Sequence, residues 1–346
     1  MESGNNGFKN ILIIKPGAIG DLLHLTPVVR ALKERFPHAK VTMLVGSRLS
    51  TTIFENNPFV HESIVFEKKG AHKSLKGLLG LWKELHARRF DLVLNYQRSN
   101  LKGWFLASSA FPCRVLVYHK SRKRLMHAVE NHLGPLTALG IDTEKADRKL
   151  DFFPSTRDQK RAEEVLDSAA IHGRRIVAFN PGTNHLCKCW PLDRFAELAD
   201  RVIERMGTEV IILGSPDEKK LADEIQSGMR NKAHDLTGCT LGELGALLKR
   251  VEVLITGDTG PMHIAAAVGT PALALYGPIS PLRSGPIGDG HRIVIHDELD
   301  CCPCNSFKCV NPVFRLCMES ITVDEVFAEL SQMLDNQANQ ERRIND

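Results

Sequence analysis

An aspartate follows the first apolar strand of the sequence, where open α/β sheets carry their functional side chains. Residues 10–14 read Asn-Ile-Leu-Ile-Ile, a glycine-bearing turn runs to Gly20, and Asp21 then opens a helical segment. A carboxylate at such a strand end is a candidate functional group. Helix capping is the alternative role for Asp21, because carboxylates also accept hydrogen bonds at helix N-termini.

A second polar turn, Gly257–Gly260, joins an apolar strand to a helix. The free N–H groups at the start of a helix bind phosphate, so Thr259 and Gly260 are candidate phosphate ligands. Asp258 is suited to the hydroxyls of a sugar or to capping the helix. His263 is either part of this site or a buried structural histidine.

The loop over residues 180–191 carries one isolated cation, Lys188, and follows a predicted strand. Loops in this position hold phosphate-binding cations, although a solvated lysine is the alternative. Thr183 lies in the same loop. Glu218, or its neighbour Asp217, follows the next strand and could accept hydrogen bonds from a ribose; a helix capping box is the alternative for this segment.

Five of the nine cysteines lie within residues 301–317. The C-x-x-C spacing of Cys301 and Cys304 could begin a metal site with Cys309 and Cys317. The later gaps, however, match no standard zinc or iron–sulfur template. We therefore predict reduced thiols packed under a loop and no bound metal.

Strands and helices alternate around all of these segments, which predicts open parallel sheets with helices on both faces. Two successive α/β regions of about 150 residues each predict two domains, joined near residues 151–157. Predicted strands cover residues 10–14, 40–45, 175–179, 209–213, 251–256 and 271–276. Predicted helices cover residues 21–36, 192–206, 216–229, 240–250 and 261–268, with a last helix that ends near residue 334.

The composition is that of an ordinary globular chain: 346 residues, 43% hydrophobic and 25% charged. No apolar stretch is long enough to span a membrane and the start lacks a secretory signal pattern, so we expect a cytoplasmic protein. Aromatic residues make up 6%, which disfavours a base-stacking surface for nucleic acid. Neither a dinucleotide fingerprint nor a Walker loop is present, which disfavours a dehydrogenase or a P-loop kinase.

Positive charge is concentrated between residues 66 and 130, where 14 Lys and Arg face 4 Asp and Glu. This imbalance predicts an anionic partner, which could be a nucleic acid, a phosphorylated substrate or an acidic lipid surface. Arg98, Lys102 and residues 122–124 are candidate contacts for such a partner. An apolar helical stripe with flanking lysines is typical of a helix lying on an anionic membrane, or of a helix packed on a core. The stripe consists of Leu75, Leu78, Leu79, Trp82 and Leu85.

Three segments together resemble glycosyltransferase family 9, the ADP-heptose:lipopolysaccharide heptosyltransferases. They are Lys15-x-x-x-x-Gly-Asp with the following Leu-Leu-His-x-Thr-Pro27, the Pro-Gly-Thr…Lys-x-Trp-Pro191 loop, and Gly257-Asp-Thr-Gly-Pro-Met-His…Tyr-Gly-Pro278. The resemblance covers about residues 10–330, with the motifs in the order and spacing of the family.

The resemblance implies the α/β GT-B fold: two Rossmann-like domains whose parallel sheets face a central cleft. We expect residues 8–155 to bind the acceptor, residues 156–321 to bind the nucleotide sugar, and a helix at 322–335 to return towards the N-terminal domain. It also implies site roles. Asp21 is the catalytic base and Lys188 the diphosphate-binding cation. Substrate-binding residues are Gly20, Thr183, Asp258, Thr259, Gly260, His263 and Glu218.

The implied activity is inverting, metal-independent transfer of a heptose from ADP-L-glycero-D-manno-heptose to the inner core of lipopolysaccharide, without a cofactor. Its partners are the nucleotide sugar and a lipid A-core acceptor, with peripheral contact to the inner membrane and no nucleic acid. The residues alone leave three alternatives open. These are another nucleotide-sugar donor, a nucleotide-sugar epimerase, and a non-catalytic protein that binds an anionic glycolipid or a metal.

Overall fold

The computed structural model describes residues 7–97, 101–118 and 125–345, with side chains through residue 339. Two compact units divide the chain, Met1–Phe153 and Pro154–Asp346. Each unit is a parallel sheet flanked by helices, which confirms the predicted α/β class with two Rossmann-like units. Arg98 and residues 122–124, candidate contacts for an anionic partner, lie outside the described residues.

The sheet of the first unit has the order β3-β2-β1-β4-β5, and all neighbouring strands are parallel. Successive strands extend the sheet to one side of β1 as far as β3, and the chain then crosses to the other side for β4. Ligands of open α/β sheets bind beyond the carboxyl ends of the strands at such a switch point. The strands are β1 (Asn10–Ile14), β2 (Lys40–Val45), β3 (Glu62–Val65), β4 (Leu92–Asn95) and β5 (Arg114–Val117).

The predicted helix over residues 21–36 is two helices. Proline has no N–H to continue the hydrogen-bond ladder, so Pro27 cannot donate to the carbonyl of Leu23. The hydroxyl of Thr26 donates to that carbonyl instead, at 2.8 Å, and a new helix starts there. The helices of this unit are α1 (Ile19–Leu23), α2 (Thr26–Arg35), α3 (Arg48–Thr51), α4 (Leu75–Ala87), α5 (Leu101–Ala107) and α6 (Ala128–Leu133).

The apolar stripe predicted on α4 divides between the core and the surface. Leu78 and Leu85 are buried with Leu81 in the core of the first unit, as the core-packing alternative requires. Leu75 and Leu79, by contrast, are 71% and 41% exposed. Core packing therefore accounts for only one side of this helix.

The sheet of the second unit has the order β11-β10-β9-β6-β7-β8, again with parallel neighbours. Its switch point lies between β6 and β9. The strands are β6 (Ile176–Asn180), β7 (Glu209–Gly214), β8 (His234–Thr237), β9 (Val253–Gly257), β10 (Ala272–Leu275) and β11 (Arg292–Val294). The helices are α7 (Thr156–Ser168), α8 (Leu192–Met206), α9 (Lys219–Gly228), α10 (Leu241–Leu248), α11 (Gly260–Val268), α12 (Pro281–Ser284), α13 (Leu316–Glu319) and α14 (Val323–Asn345).

The last helix, α14, begins after a capping box in which Thr322 N–H donates to Glu325 Oε2 at 2.7 Å and Glu325 N–H donates to Thr322 Oγ1 at 3.3 Å. The helix runs ten residues or more past its predicted end near residue 334. Val326, Leu330 and Met333 pack into the core of the second unit. The expected return of this helix towards the first unit stays a prediction. Among the described residues, no helix is long and apolar enough to cross a membrane.

Candidate functional site

The first candidate site lies where β1 ends, at the switch point of the first unit. Asp21 is the third residue of α1, whose N-cap is Ala18, so Asp21 does not cap the helix. Its side chain is 47% exposed, and Oδ1 lies 3.7 Å from Nζ of Lys15, a lysine whose side chain is only 10% exposed. A Cβ at Gly17 would lie 3.1 Å from Asp21 Oδ2 and from Lys15 Cε. The missing side chain therefore lets the turn pack against both charged groups.

Gly20 precedes Asp21 within α1, and its carbonyl accepts a hydrogen bond from His24 N–H at 3.0 Å. Neighbouring strand ends add polar groups that sequence reasoning missed. Asn95 ends β4, beside Ile14 in the sheet register, and is fully buried. Its Oδ1 accepts from Gln97 N–H at 2.8 Å, while Nδ2 has no hydrogen-bond partner among the described residues.

His132 is also buried near this turn. Burial, together with the positive charge of Lys15, lowers the pKa of His132 to about 3, although the negative charge of Asp21 opposes the shift. The imidazole is therefore neutral near pH 7. Sequence reasoning missed His132 because this residue is far along the chain from the β1 turn and no recognisable motif surrounds it.

The second candidate site brings Lys188 and Asp258 together at the switch point of the second unit. Lys188 Nζ donates to Asp258 Oδ2 at 2.8 Å and to the carbonyl of Asp258, and the two side chains are only 11% and 14% exposed. The other carboxylate oxygen accepts from Tyr276 OH at 3.4 Å and from Ser284 Oγ at 3.3 Å. Burial and the charge of Asp258 hold the pKa of Tyr276 well above its usual value. Asp258 thus anchors the lysine and does not cap a helix.

The start of α11 adjoins this pair. Its N-cap is Thr259, which makes no side-chain capping hydrogen bond, so the first N–H groups from Gly260 onward have no cap from that residue. The hydroxyl of Thr259 donates instead to Oδ1 of Asn180 at 3.4 Å, as Thr256 does at 3.2 Å. Asn180 ends β6 and is 2% exposed; sequence reasoning treated it only as the first residue of a loop. A helix start of this kind binds anionic groups.

Thr183 and Glu218 border the same strand ends. Thr183 Oγ1 donates to the carbonyl of His185 at 2.7 Å, and a Cβ at Gly257 would lie 3.4 Å from its methyl group and 3.3 Å from the carbonyl oxygen of Lys188. Gly257 therefore lets the loop after β6 approach β9 closely.

Glu218 makes the contact of a helix capping box, the alternative to ribose binding, because its Oε2 accepts a hydrogen bond from Ser215 N–H at 2.6 Å. Its other carboxylate oxygen lies only 1.7 Å from where a Cβ on Gly182 would be. The carboxylate therefore lies directly over the loop that follows β6. His263 is 4% exposed within α11, the burial expected of a structural histidine.

The cysteines are free thiols. Across the described part of the chain, no group of three or more His, Cys, Asp or Glu side chains could hold a metal ion. Cys301 Sγ accepts from Asn311 Nδ2 and Cys309 Sγ from the N–H of Arg315, both at 3.3 Å. Cys304 is exposed, whereas burial raises the pKa of the Cys317 thiol to about 11.

The two sites offer complementary chemistry. The first presents an accessible carboxylate, which can accept a proton from a hydroxyl. The second presents a fixed cation beside an open helix start, which can stabilise the negative charge of a departing phosphate group.

Known proteins share this architecture. The model of glycosyltransferase family 9 (heptosyltransferase) matches residues 78–314. The chain is 31% identical over 282 residues to lipopolysaccharide heptosyltransferase 3 of Escherichia coli, covering 75% of this chain and 80% of that protein. A family 9 glycosyltransferase from Veillonella parvula superposes with a TM-score of 0.83 at 26% identity, covering 95% and 98% of the two chains. Heptosyltransferase WaaC of E. coli, solved with ADP-2-deoxy-2-fluoro heptose, gives a TM-score of 0.66 at 19% identity, covering 93% and 99%.

The family match spans more than half of the chain, and the similarity to the Veillonella structure spans both sheets. The predicted GT-B fold is thereby confirmed. The chain belongs to glycosyltransferase family 9 and is a glycosyltransferase.

Proposed function

We propose that this enzyme transfers a heptose from ADP-L-glycero-D-manno-heptose to the inner core of lipopolysaccharide, with inversion and without a metal ion. The observation that carries the proposal is the placement of Lys188 beside the start of α11, where the N-cap residue Thr259 makes no side-chain capping hydrogen bond. A related lipopolysaccharide heptosyltransferase at 31% identity supports the acceptor class. The donor analogue bound by the similar WaaC structure supports ADP-heptose.

In the proposed reaction the acceptor hydroxyl attacks the anomeric carbon of the heptose from the face opposite ADP, and Asp21 accepts the hydroxyl proton. The bond from the anomeric carbon to the diphosphate oxygen breaks, and its electron pair leaves with ADP. Lys188 and the N–H groups at the start of α11 stabilise the charge that develops on the diphosphate. Because Asp21 is 47% exposed, the proton can pass from it to solvent.

Cations near the first site support an anionic acceptor. A cavity of about 330 Å³ extends from Pro16 of the β1 turn to the segment after β3, where Lys68 and Lys69 line it. Burial and the nearby charge of Lys102 lower the pKa of Lys68, so two lysines lie close together here. Carboxylates or phosphates on a core oligosaccharide would relieve this repulsion. Since such an acceptor is anchored in lipid, we also propose that the enzyme works peripherally at the cytoplasmic face of the inner membrane.

The test measures ADP release from ADP-heptose with a heptose-deficient lipopolysaccharide acceptor. Asp21→Asn should lower turnover by about 10²- to 10⁴-fold, and Lys188→Met should lower it by about 10²- to 10³-fold. Glu55→Gln and Lys220→Met, which change exposed residues of the same two units, should keep the wild-type rate.

Three outcomes would contradict parts of the proposal. Nucleotide release from a different sugar donor, with none from ADP-heptose, would leave the sites and overturn the donor. Interconversion of the donor sugar without acceptor would indicate an epimerase. A full rate for Asp21→Asn would remove Asp21 from the mechanism.

A further inference from the structure

Four large apolar side chains are exposed on two neighbouring helices of the first unit. Leu75 and Leu79 on α4 are 71% and 41% exposed, and Leu101 and Trp104 on α5 are 86% and 43% exposed. We call these four residues the α4–α5 patch. A partner that covers these side chains is stabilised by the apolar area that it removes from water.

Contacts at both ends show that α4 and α5 run side by side in the same direction. Near their starts, Lys102 Nζ donates to the carbonyl of His72 at 3.4 Å. Near their ends, Trp82 Nε1 donates to Ser108 Oγ at 3.1 Å, and His86 Nδ1 lies 2.8 Å from the carbonyl oxygen of Ser109. All four patch residues belong to the first two turns of their helices, so they lie at the same end of this helix pair.

The apolar stripe on α4 leads into this surface. Leu75, Leu79 and Trp82 have i, i+4, i+7 spacing and share one flank of the helix. Trp82 packs against Phe105 of α5, with ring centroids 6.5 Å apart. Towards the carboxyl end of α4 this flank therefore packs on α5. Towards the amino end of α4, where the patch lies, the flank is exposed to solvent.

The charges around the patch indicate what covers it. Lys69, Lys73, Lys76 and Lys83 are all exposed on or just before α4, within the region of 14 cations and 4 acids. Glu84, the acid within α4, is paired with Arg88 at 3.2 Å. Exposed apolar side chains surrounded by lysines complement an anionic lipid surface. The apolar side chains enter the membrane interface, and the negative charge of the lipids attracts the lysines.

The patch also lies towards the carboxyl edge of the sheet, which is the edge formed by the carboxyl ends of the strands, where Asp21 follows β1. α5 begins six residues after the carboxyl end of β4, and α4 begins ten residues after that of β3. The connection from β3 to α4 includes Lys68, which lines the same cavity as Pro16 of the β1 turn. A bilayer on the patch would present its headgroups near this edge.

We propose that the α4–α5 patch docks the enzyme on an anionic phospholipid bilayer. This inference rests on the proposed function, because it assigns a surface to the membrane contact of a lipid-anchored acceptor. The occupant is the bilayer itself: apolar side chains enter the interface, and the lysines bind the phosphates of neighbouring lipids.

The experiment measures binding of the full chain to vesicles of phosphatidylethanolamine with phosphatidylglycerol, and to vesicles of phosphatidylcholine, by co-sedimentation. We expect binding to the anionic vesicles only, weakened by salt. Leu75→Ser/Leu101→Ser should weaken it at least tenfold, and Lys73→Glu/Lys76→Glu about fivefold or more for each charge removed. Leu49→Ser changes a leucine of the same unit that is 56% exposed outside the patch, and should bind as the wild type does.

Activity separates this inference from the proposed function. Leu75→Ser/Leu101→Ser should keep the wild-type rate on a deacylated, lipid-free core acceptor and lose rate on acceptor embedded in vesicles. Absence of transfer by the wild type on both acceptors would refute the proposed function, while vesicle binding would still test the patch. Equal vesicle binding by this variant and the wild type would overturn the inference. So would a wild-type dimer, measured by light scattering, that the same substitutions convert to a monomer.

Discussion

Removing the carboxylate of Asp258 should destabilise the enzyme more than removing the ammonium group of Lys188. Both side chains are almost buried, at 14% and 11% exposed. Each single substitution therefore leaves the other residue as a buried charge without its ion-pair partner. After Lys188→Met, the carboxylate keeps the hydroxyls of Tyr276 and Ser284 at 3.4 and 3.3 Å. After Asp258→Leu, the ammonium group keeps the backbone carbonyl of residue 258 and a cation–π contact with Phe307, 5.9 Å from the ring centroid, but no charged partner among the described residues.

The magnitudes follow from this asymmetry. Stranding one partner of a buried ion pair lowers the free energy of unfolding by about 3–5 kcal/mol, and we expect Asp258→Leu to fall in this range. Lys188→Met should cost about 1–3 kcal/mol, because hydrogen bonds still satisfy part of the remaining carboxylate. The double variant leaves no stranded charge, so it should be more stable than Asp258→Leu alone.

Urea unfolding followed by tryptophan fluorescence measures these differences. Trp190 reports on the second unit, since it is 2% exposed and its Nε1 donates to the carbonyl of Ile321 at 3.0 Å. Arg161→Met serves as the control, because Arg161 pairs with Glu164 on the surface and its loss should cost at most about 0.5 kcal/mol. Equal destabilisation by the two single substitutions would refute the reasoning. A double variant that is no more stable than Asp258→Leu alone would also refute it. If Lys188 binds the diphosphate, the double variant stays inactive even where it is stable.

Three further outcomes are expected. His132 has a pKa of about 3 in the folded enzyme because of its burial and about 6.5 when unfolded. The unfolded state therefore takes up the proton first, and stability falls by about 2 kcal/mol from pH 7 to pH 5; urea midpoints for His132→Asn should lack this loss. Gly277→Ala would place a Cβ 2.6 Å from Met318 Sδ and should cost about 1–3 kcal/mol in thermal unfolding; an unchanged Tm would contradict the contact. Arg88→Ala removes a fork of two hydrogen bonds at 2.7 and 3.0 Å to Glu62 and should cost about 1 kcal/mol, measured by urea unfolding against Arg88→Lys.

Elements with strong local patterns were predicted well from the sequence. The bounds of β1 and α8 match their predictions, because an unbroken apolar run is typical of a buried strand and a regular amphipathic pattern of a helix. The break between α1 and α2 was missed because apolar spacing continued through it. Only the missing N–H of Pro27 marked the interruption, and that signal was present in the sequence.

The candidate sites could be placed from the sequence because open sheets put functional side chains at the carboxyl ends of strands. Asp21, Lys188 and Asp258 all lie there. The contact between Lys188 and Asp258 could not be predicted, since these residues are 70 positions apart and pair only after β6 and β9 align. The hydrogen bonds from Tyr276 and Ser284 to Asp258 could not be predicted for the same reason, since they depend on the position of the Asp258 carboxylate.

The pairing of Lys188 with Asp258 has a consequence for how a donor would bind. A solvent-exposed lysine side chain must become ordered when phosphate binds. Lys188, by contrast, is already held beside the start of α11 by its ion pair with Asp258. Under the proposed function, the diphosphate shares or takes over a cation that Asp258 has positioned, and little side-chain entropy is lost at that step. Asp258→Asn should then weaken ADP binding even though it removes a negative charge from an anion site. Tighter ADP binding by that variant, measured by calorimetry, would show that repulsion outweighs positioning.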